Sequence, residues 1–115
     1  MSRFDRYIGL PWLDRGLTVE GCDCEGLLRL VYAGEMGIEL VSPLDRQDWN
    51  PVAAGAERQL DAVLVRQRPW HLGVVVRPGL MLHMRENGMS CIEPYDTGRW
   101  SRRVEGLYRH REAAP

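Results

Sequence analysis

His71-Leu72-Gly73-Val74-Val75-Val76-Arg77-Pro78-Gly79-Leu80-Met81-Leu82-His83 is the stretch on which the fold turns. A valine-rich run, a turn signal at Arg77-Pro78-Gly79 and a second apolar run read as a β-hairpin, with strands over residues 71–76 and 80–84. Side chains alternate along a strand. His71 and His83 flank the turn and are both odd-numbered, so without a bulge they fall on the same face of adjacent strands.

Outward from this hairpin the pattern continues. Glu86-Asn87-Gly88 is a further turn, with Asn-Gly a strong hairpin signal, and residues 89–93 follow as a strand. Residues 62–65 and 106–109 read as two more strands, and residues 52–60 as a short helix. Residues 38–50 read as loop, with Pro43 and Pro51 as breakers. The clearest helix starts at Cys24: Cys24, Leu27, Leu28, Val31 and Tyr32 recur at helical spacing and give it one apolar face. Asp23 stands where a cap belongs, and Gly34 and Gly37 loosen the far end. Residues 11–21 read as loop, residues 3–10 as a helix ended by Gly9 and Pro11, and the tail 112–115 as frayed. Helices first and an antiparallel meander after them predict an α+β fold, with N-terminal helices packed on an antiparallel sheet.

A chain of 115 residues predicts one domain over residues 1–115. Net charge is −1 and all fifteen basic residues are Arg, so no electrostatic signal points to nucleic acid or a membrane surface. No apolar window reaches transmembrane length and no secretory signal is expected after Met1, so membrane insertion is not expected. Three cysteines, Cys22, Cys24 and Cys91, suit no disulfide framework and predict folding in a reducing cytosol. Cys22-x-Cys24 is too tight for the usual zinc knuckle and Cys91 has no ligand nearby in sequence, so no metal is expected.

The chemistry centres on Cys24. A helix N-terminus favours negative charge and so favours thiolate over thiol. A histidine on a facing strand takes the proton, and a second histidine orients the first. Cys24 also lies on the apolar face of its helix, where a core cysteine and a sheltered nucleophile look alike. If the helix packs on the face that carries the histidines, all three groups converge.

Asp23-Cys24-x-Gly26 at a helix start, the His-Leu-Gly-Val-Val strand at His71 and the Met-Leu-His strand ending at His83 resemble the NlpC/P60 cysteine peptidases, papain-like enzymes directed at the cell wall. The segments Cys24-Glu25-Gly26-Leu27-Leu28-Arg29-Leu30-Val31-Tyr32 and Arg99-Trp100-Ser101-Arg102-Arg103-Val104-Glu105-Gly106-Leu107-Tyr108-Arg109 are similar to members from phage tails and gene transfer agents. The resemblance implies a papain-like fold, Cys24 as nucleophile, His71 as general base and then acid, and His83 as the residue that holds the His71 imidazole. It implies Trp12 at the place of the family's upstream tyrosine, so that Trp12 and Asp23 become candidates for the oxyanion or substrate site. Glu25 stands where the family usually has Ser, and Leu13-Asp14-Arg15-Gly16 where it has aromatic-Gly-Gly. No cofactor is implied. The implied substrate is the stem peptide of peptidoglycan, cleaved between D-γ-glutamyl and a diamino acid. The implied location is a virion tail, made in the bacterial cytoplasm and acting at the cell wall, with other tail-tip or baseplate proteins as partners. Arg99, Arg102 and Arg103 suggest either a solvated surface or a contact with such a partner. A structural tail-tip protein with the same fold and an unused site stands as the other reading.

Overall fold

The computed structural model describes residues 2–41, 45–68 and 70–113; Pro43 and the end of the tail, residues 114–115, lie outside the described residues. Its elements are β1 (Leu17–Thr18), β2 (Gly21–Cys22), α1 (Cys24–Met36), β3 (Trp49–Val52), β4 (Ala62–Arg66), β5 (Trp70–Arg77), β6 (Leu80–Met84), β7 (Ser90–Pro94) and β8 (Val104–His110). β1 and β2 form a small hairpin. The other six strands form one sheet in the order β3-β8-β4-β5-β6-β7, antiparallel throughout. Among the described residues no helix is long and apolar enough to cross a membrane.

The mixed α and antiparallel β architecture is the expected one. α1 is the only α-helix among the described residues, where the sequence reading has several. Residues 3–10 give only a 3-10 turn at Asp5–Tyr7, because Gly9 at φ 83 and then Pro11 stop propagation. Phe4 and Tyr7 bury their rings regardless. Residues 11–21, read as loop, contain β1 and the start of β2. Residues 52–60 form no helix: Val52 closes β3, and Gly55 at φ 92 and Leu60 at φ 78 break any helical run. Pro51 is tolerated inside β3 because β3 is an edge strand, where a missing N–H removes no inner ladder bond. β8 returns between β3 and β4, so it is an inner strand rather than an appendage of the meander.

α1 forms where the periodicity places it. Asp23 caps it, accepting from the Gly26 N–H at 2.8 Å, and Gly37 ends it at φ 65. Gly26 has a packing reason: a Cβ there would lie 2.0 Å from the Gly16 carbonyl oxygen. The buried face of α1, Leu27, Leu28, Val31 and Tyr32, packs on Leu72, Val74, Leu82 and Met84. Those are the even-numbered residues of β5 and β6. The odd face carries its own core, Val63, Val65, Val75 and Met81, covered by Tyr95 and Trp100 from the connection between β7 and β8. With both faces buried, the inner strands read as continuous apolar runs.

The parity of the central hairpin is reached by a route different from the expected one. The turn closes on Pro78-Gly79 alone, with Arg77 opposite Leu80 and Gly79 at φ 93. Continued unchanged, that register would pair residues of opposite parity and send His71 and His83 to opposite faces. A bulge between Val75 and Arg77 adds one residue, and beyond it Val75 faces Met81 and Gly73 faces His83. Two-residue turn and bulge together act as the three-residue turn of the sequence reading, and both histidines lie on the odd face.

Candidate active site

His71 and His83 are bonded to each other, with His71 Nε2 2.8 Å from His83 Nδ1 and the rings perpendicular. His83 is fully buried and its Nε2 lies 2.5 Å from Glu93 Oε2. The indole N–H of Trp100 donates to the same carboxylate oxygen at 3.2 Å. Trp100 also stacks on His71, with centroids 5.4 Å apart and planes 12° off parallel, and meets His83 edge-on. The Arg99 guanidinium lies over the Trp100 ring, 4.6 Å from its centroid. A chain of polar contacts thus runs His71–His83–Glu93–Trp100, walled by an aromatic ring.

Glu93 is a site residue that the sequence reading lacks; Trp100 stands in that reading within the segment 99–109, without a role at the histidines. The signal for Glu93 was present: β6 and β7 pair His83 with Cys91, so Glu93 is the next odd residue along β7 and a diagonal neighbour of His83. Parity carried one hairpin further finds it. Trp100 comes from a loop, where parity has no meaning.

Cys24 is the first residue of α1, and α1 lies on the even face rather than the histidine face. The cysteine gets to the histidines' cavity at a notch. Pairing between β5 and β6 stops at Gly73–His83, and the Leu72 N–H there donates to the Cys24 sulfur, as does the Glu25 N–H. Trp12, Asp23, Cys24, His71, His83 and Trp100 line one cavity of about 420 Å³, with Arg68, Arg85 and Glu86 at its rim. Among the described residues no hydrogen bond joins Cys24 to His71, and none is donated by the Cys24 N–H. Trp12 is set in the cavity wall by its own N–H, which donates to the Gly88 carbonyl at 3.0 Å, and by a bridge to Cys22. Asp23 lines the cavity with both oxygens engaged, Oδ1 by Gly26 N–H and Oδ2 by Arg15 N–H.

The electrostatics differ from the thiolate expected at a helix start. Burial pushes the Cys24 thiol up, and the negative charges of Asp23 and Glu25 add to that; the Leu72 and Glu25 N–H bonds only partly offset it. Burial likewise pulls His71 down to about 4, with the neighbouring His83 adding to the effect and Glu93 opposing it. His83 is lowered by burial against the pull of Glu93. Burial pushes Glu93 up, but the bonds from His83 and Trp100 outweigh it and hold the carboxylate below its ordinary range. The resting site near neutral pH is therefore a neutral thiol, two neutral imidazoles and one carboxylate. Cys91 Sγ lies 3.7 Å from His83 Nε2. His83, Cys91 and Glu93 make a compact donor set, but His83 and Glu93 spend their facing atoms on each other.

No family model matches the chain, and no curated protein matches it by sequence. Solved structures do match. An NlpC/P60 family protein from Bacillus cereus ATCC 10987 matches with a TM-score of 0.77 at 21% identity, over 90% of this chain and 36% of that one. A protein described as similar to a lipoprotein of the NLP/P60 family, from Staphylococcus aureus subsp. aureus Mu50, matches with a TM-score of 0.73 at 18% identity, over 90% and 37%. The NlpC/p60 domain of the peptidoglycan hydrolase SagA matches with a TM-score of 0.74 at 16% identity, over 90% of both chains. This chain spans little more than a third of the first two proteins and nine-tenths of the third. The likeness establishes the fold, that of NlpC/P60 domains.

Proposed function

We propose that this chain is an NlpC/P60-type cysteine peptidase that cleaves stem peptides of peptidoglycan, at the bond between D-γ-glutamyl and a diamino acid. The observation that carries the reading is the joint opening of Cys24 and the His71–His83 pair on one cavity. The fold shared with a domain of a peptidoglycan hydrolase supports the substrate class.

The chemistry follows from the resting protonation. With thiol and imidazole both neutral, His71 takes the Cys24 proton as sulfur attacks the carbonyl carbon, rather than holding a preformed ion pair. The Leu72 and Glu25 N–H groups receive the charge that develops on sulfur. The unengaged Cys24 N–H, at the positive end of α1, is the donor available to the oxyanion, where loss of one such donor typically costs about 3 kcal/mol of barrier. The His71 imidazolium then protonates the leaving amine, and water releases the acyl group from Cys24. The mouth of the cavity carries both signs of charge, Arg68, Arg85 and Arg99 with Asp14 and Glu86.

The likeness of residues 24–32 and 99–109 to phage-tail and gene-transfer-agent members supports a place in a virion tail, beside other tail-tip or baseplate proteins, opening the wall as a genome enters. The raised thiol and the unmade Cys24–His71 bond favour a second reading, a tail-tip structural protein whose site is unused. Digestion of diaminopimelate-type peptidoglycan, read by mass spectrometry, separates the two. New peptide termini with the wild type and none with Cys24→Ala support the peptidase and name the bond. Identical products from both, at every peptidoglycan type tried, overturn it.

A further inference from the structure

We propose that Glu93 is the positioning residue that sets the tautomers of both histidines, leaving Nδ1 of His71 as the free base. For its catalytic meaning this rests on the peptidase reading of Cys24 and His71; the tautomers themselves do not depend on it.

Counting donors and acceptors leads there. A carboxylate can only accept, so the 2.5 Å contact between Glu93 Oε2 and His83 Nε2 places a proton on that nitrogen. A neutral imidazole carries one N–H, so His83 Nδ1 is then a bare acceptor. Its partner at 2.8 Å, His71 Nε2, must therefore donate. His71 is neutral as well, so its one proton is spent on His83 and its Nδ1 keeps a lone pair. One carboxylate thus fixes two rings in series. Without it, the inverted arrangement becomes open to the pair: His83 Nδ1–H donating to His71 Nε2, and the His71 proton sitting on Nδ1, where a base is needed.

The surroundings suit that task. Trp100 Nε1–H donates to the same Oε2 and fixes where the carboxylate points. Its ring stacks on His71 and abuts His83, so neither imidazole is free to flip. Glu93 does not line the cavity that Cys24 opens on, so it acts through the histidines and is not itself a catalytic residue. When His71 takes the Cys24 proton, the Glu93 charge also favours the imidazolium that forms.

The test is long-range ¹H–¹⁵N correlation of the imidazole rings at neutral pH, with ¹⁵N-histidine-labelled full-length protein. His71→Gln and His110→Gln assign the three rings. The expected wild-type spectrum has both His71 and His83 protonated at Nε2. Glu93→Gln should keep that pattern, because the Trp100 N–H holds the amide oxygen toward His83. Glu93→Ala and Glu93→Leu should move one or both rings toward Nδ1–H and lower kcat at least tenfold with KM little changed. A wild-type His83 protonated at Nδ1 overturns the proposal, as do unchanged tautomers in folded Glu93→Ala or Glu93→Leu. If those two variants fail to fold, the wild-type spectrum alone decides. Nε2 tautomers in a protein that digests no peptidoglycan uphold Glu93 and sink the peptidase; Nδ1 tautomers in an active enzyme do the reverse.

Discussion

The two faces of β5 and β6 are built from alternate residues of the same short strands, and they do different work. The even face, Leu72, Val74, Leu82 and Met84, is apolar and sits under α1. The odd face carries His71 and His83, bonded to each other, then Glu93, under Trp100. Apolar packing stabilises both sides, with Val63, Val65, Val75 and Met81 on the odd one, but the histidine chemistry is on the odd side alone. Cys24 belongs to the helix of the first side and delivers its sulfur to the second through the notch beside Leu72. The division implies that the two faces respond differently to substitution.

The harshest way to break the division is to delete Val76. The hairpin would return to the odd register of its two-residue turn, and either the apolar set or the imidazoles would change sides. We expect a loss above about 4 kcal/mol, or no native fold, by denaturant unfolding followed with circular dichroism. A deletion variant that keeps its stability would show that the bulge does not set the faces.

Next in size is Leu28→Ala, on the buried side of α1. Truncating a fully buried leucine should lower the unfolding free energy by about 3 kcal/mol, read from the urea midpoint at constant slope. His83→Gln, on the other face, should cost clearly less stability while abolishing most activity. Equal stability losses from the two would erase the contrast.

Acid sharpens the comparison. The unfolded His71 imidazole takes up a proton as pH falls through about 6.5, whereas the folded one does so only near 4. The unfolded state therefore binds more protons across that window. The stability from keeping His71 neutral is fully present above 6.5 and drains as pH drops toward 4, by an amount on the order of 3 kcal/mol. Unfolding curves at several pH values should show this slope in wild type and a flatter one in His71→Gln.

The smallest effect is at the boundary between the two sides. Asp23→Ala removes the cap on Gly26 and the bond to Arg15, and should cost about 1 kcal/mol. Asp23→Asn, which keeps an acceptor for Gly26, should recover most of it.

Much of this was legible in the sequence. The spacing of Leu27, Leu28, Val31 and Tyr32 and the cap at Asp23 gave α1, and five of the six strands of the large sheet were readable, β5, β6 and β7 from the turn residues between them. The odd numbers of His71 and His83 put them on one face, although a bulge rather than a longer turn achieves it. The face α1 would choose was not legible. Val74-Val75-Val76 is apolar on both sides because both sides are buried, so it carries no directional signal. β3 was hidden by Pro51, which reads as a breaker until the strand is known to be at an edge. Glu93 reads as an ordinary solvated carboxylate until the register of β7 is followed back to His83. The neutral state of Cys24 depends on burial, which a helix-start motif cannot report.

The most direct measurement compares the alkylation rates of the three cysteines within one sample. Cys22 is buried, and Cys91 is partly buried beside His83 but outside the Cys24 cavity. Limited iodoacetamide treatment at neutral pH, followed by peptide mapping, should label Cys24 first, and His71→Gln should slow that labelling at least tenfold while leaving Cys91 unchanged. Cys24 labelled no faster than Cys91, or at the same rate without His71, would contradict the coupling of the helix-borne thiol to the histidine face.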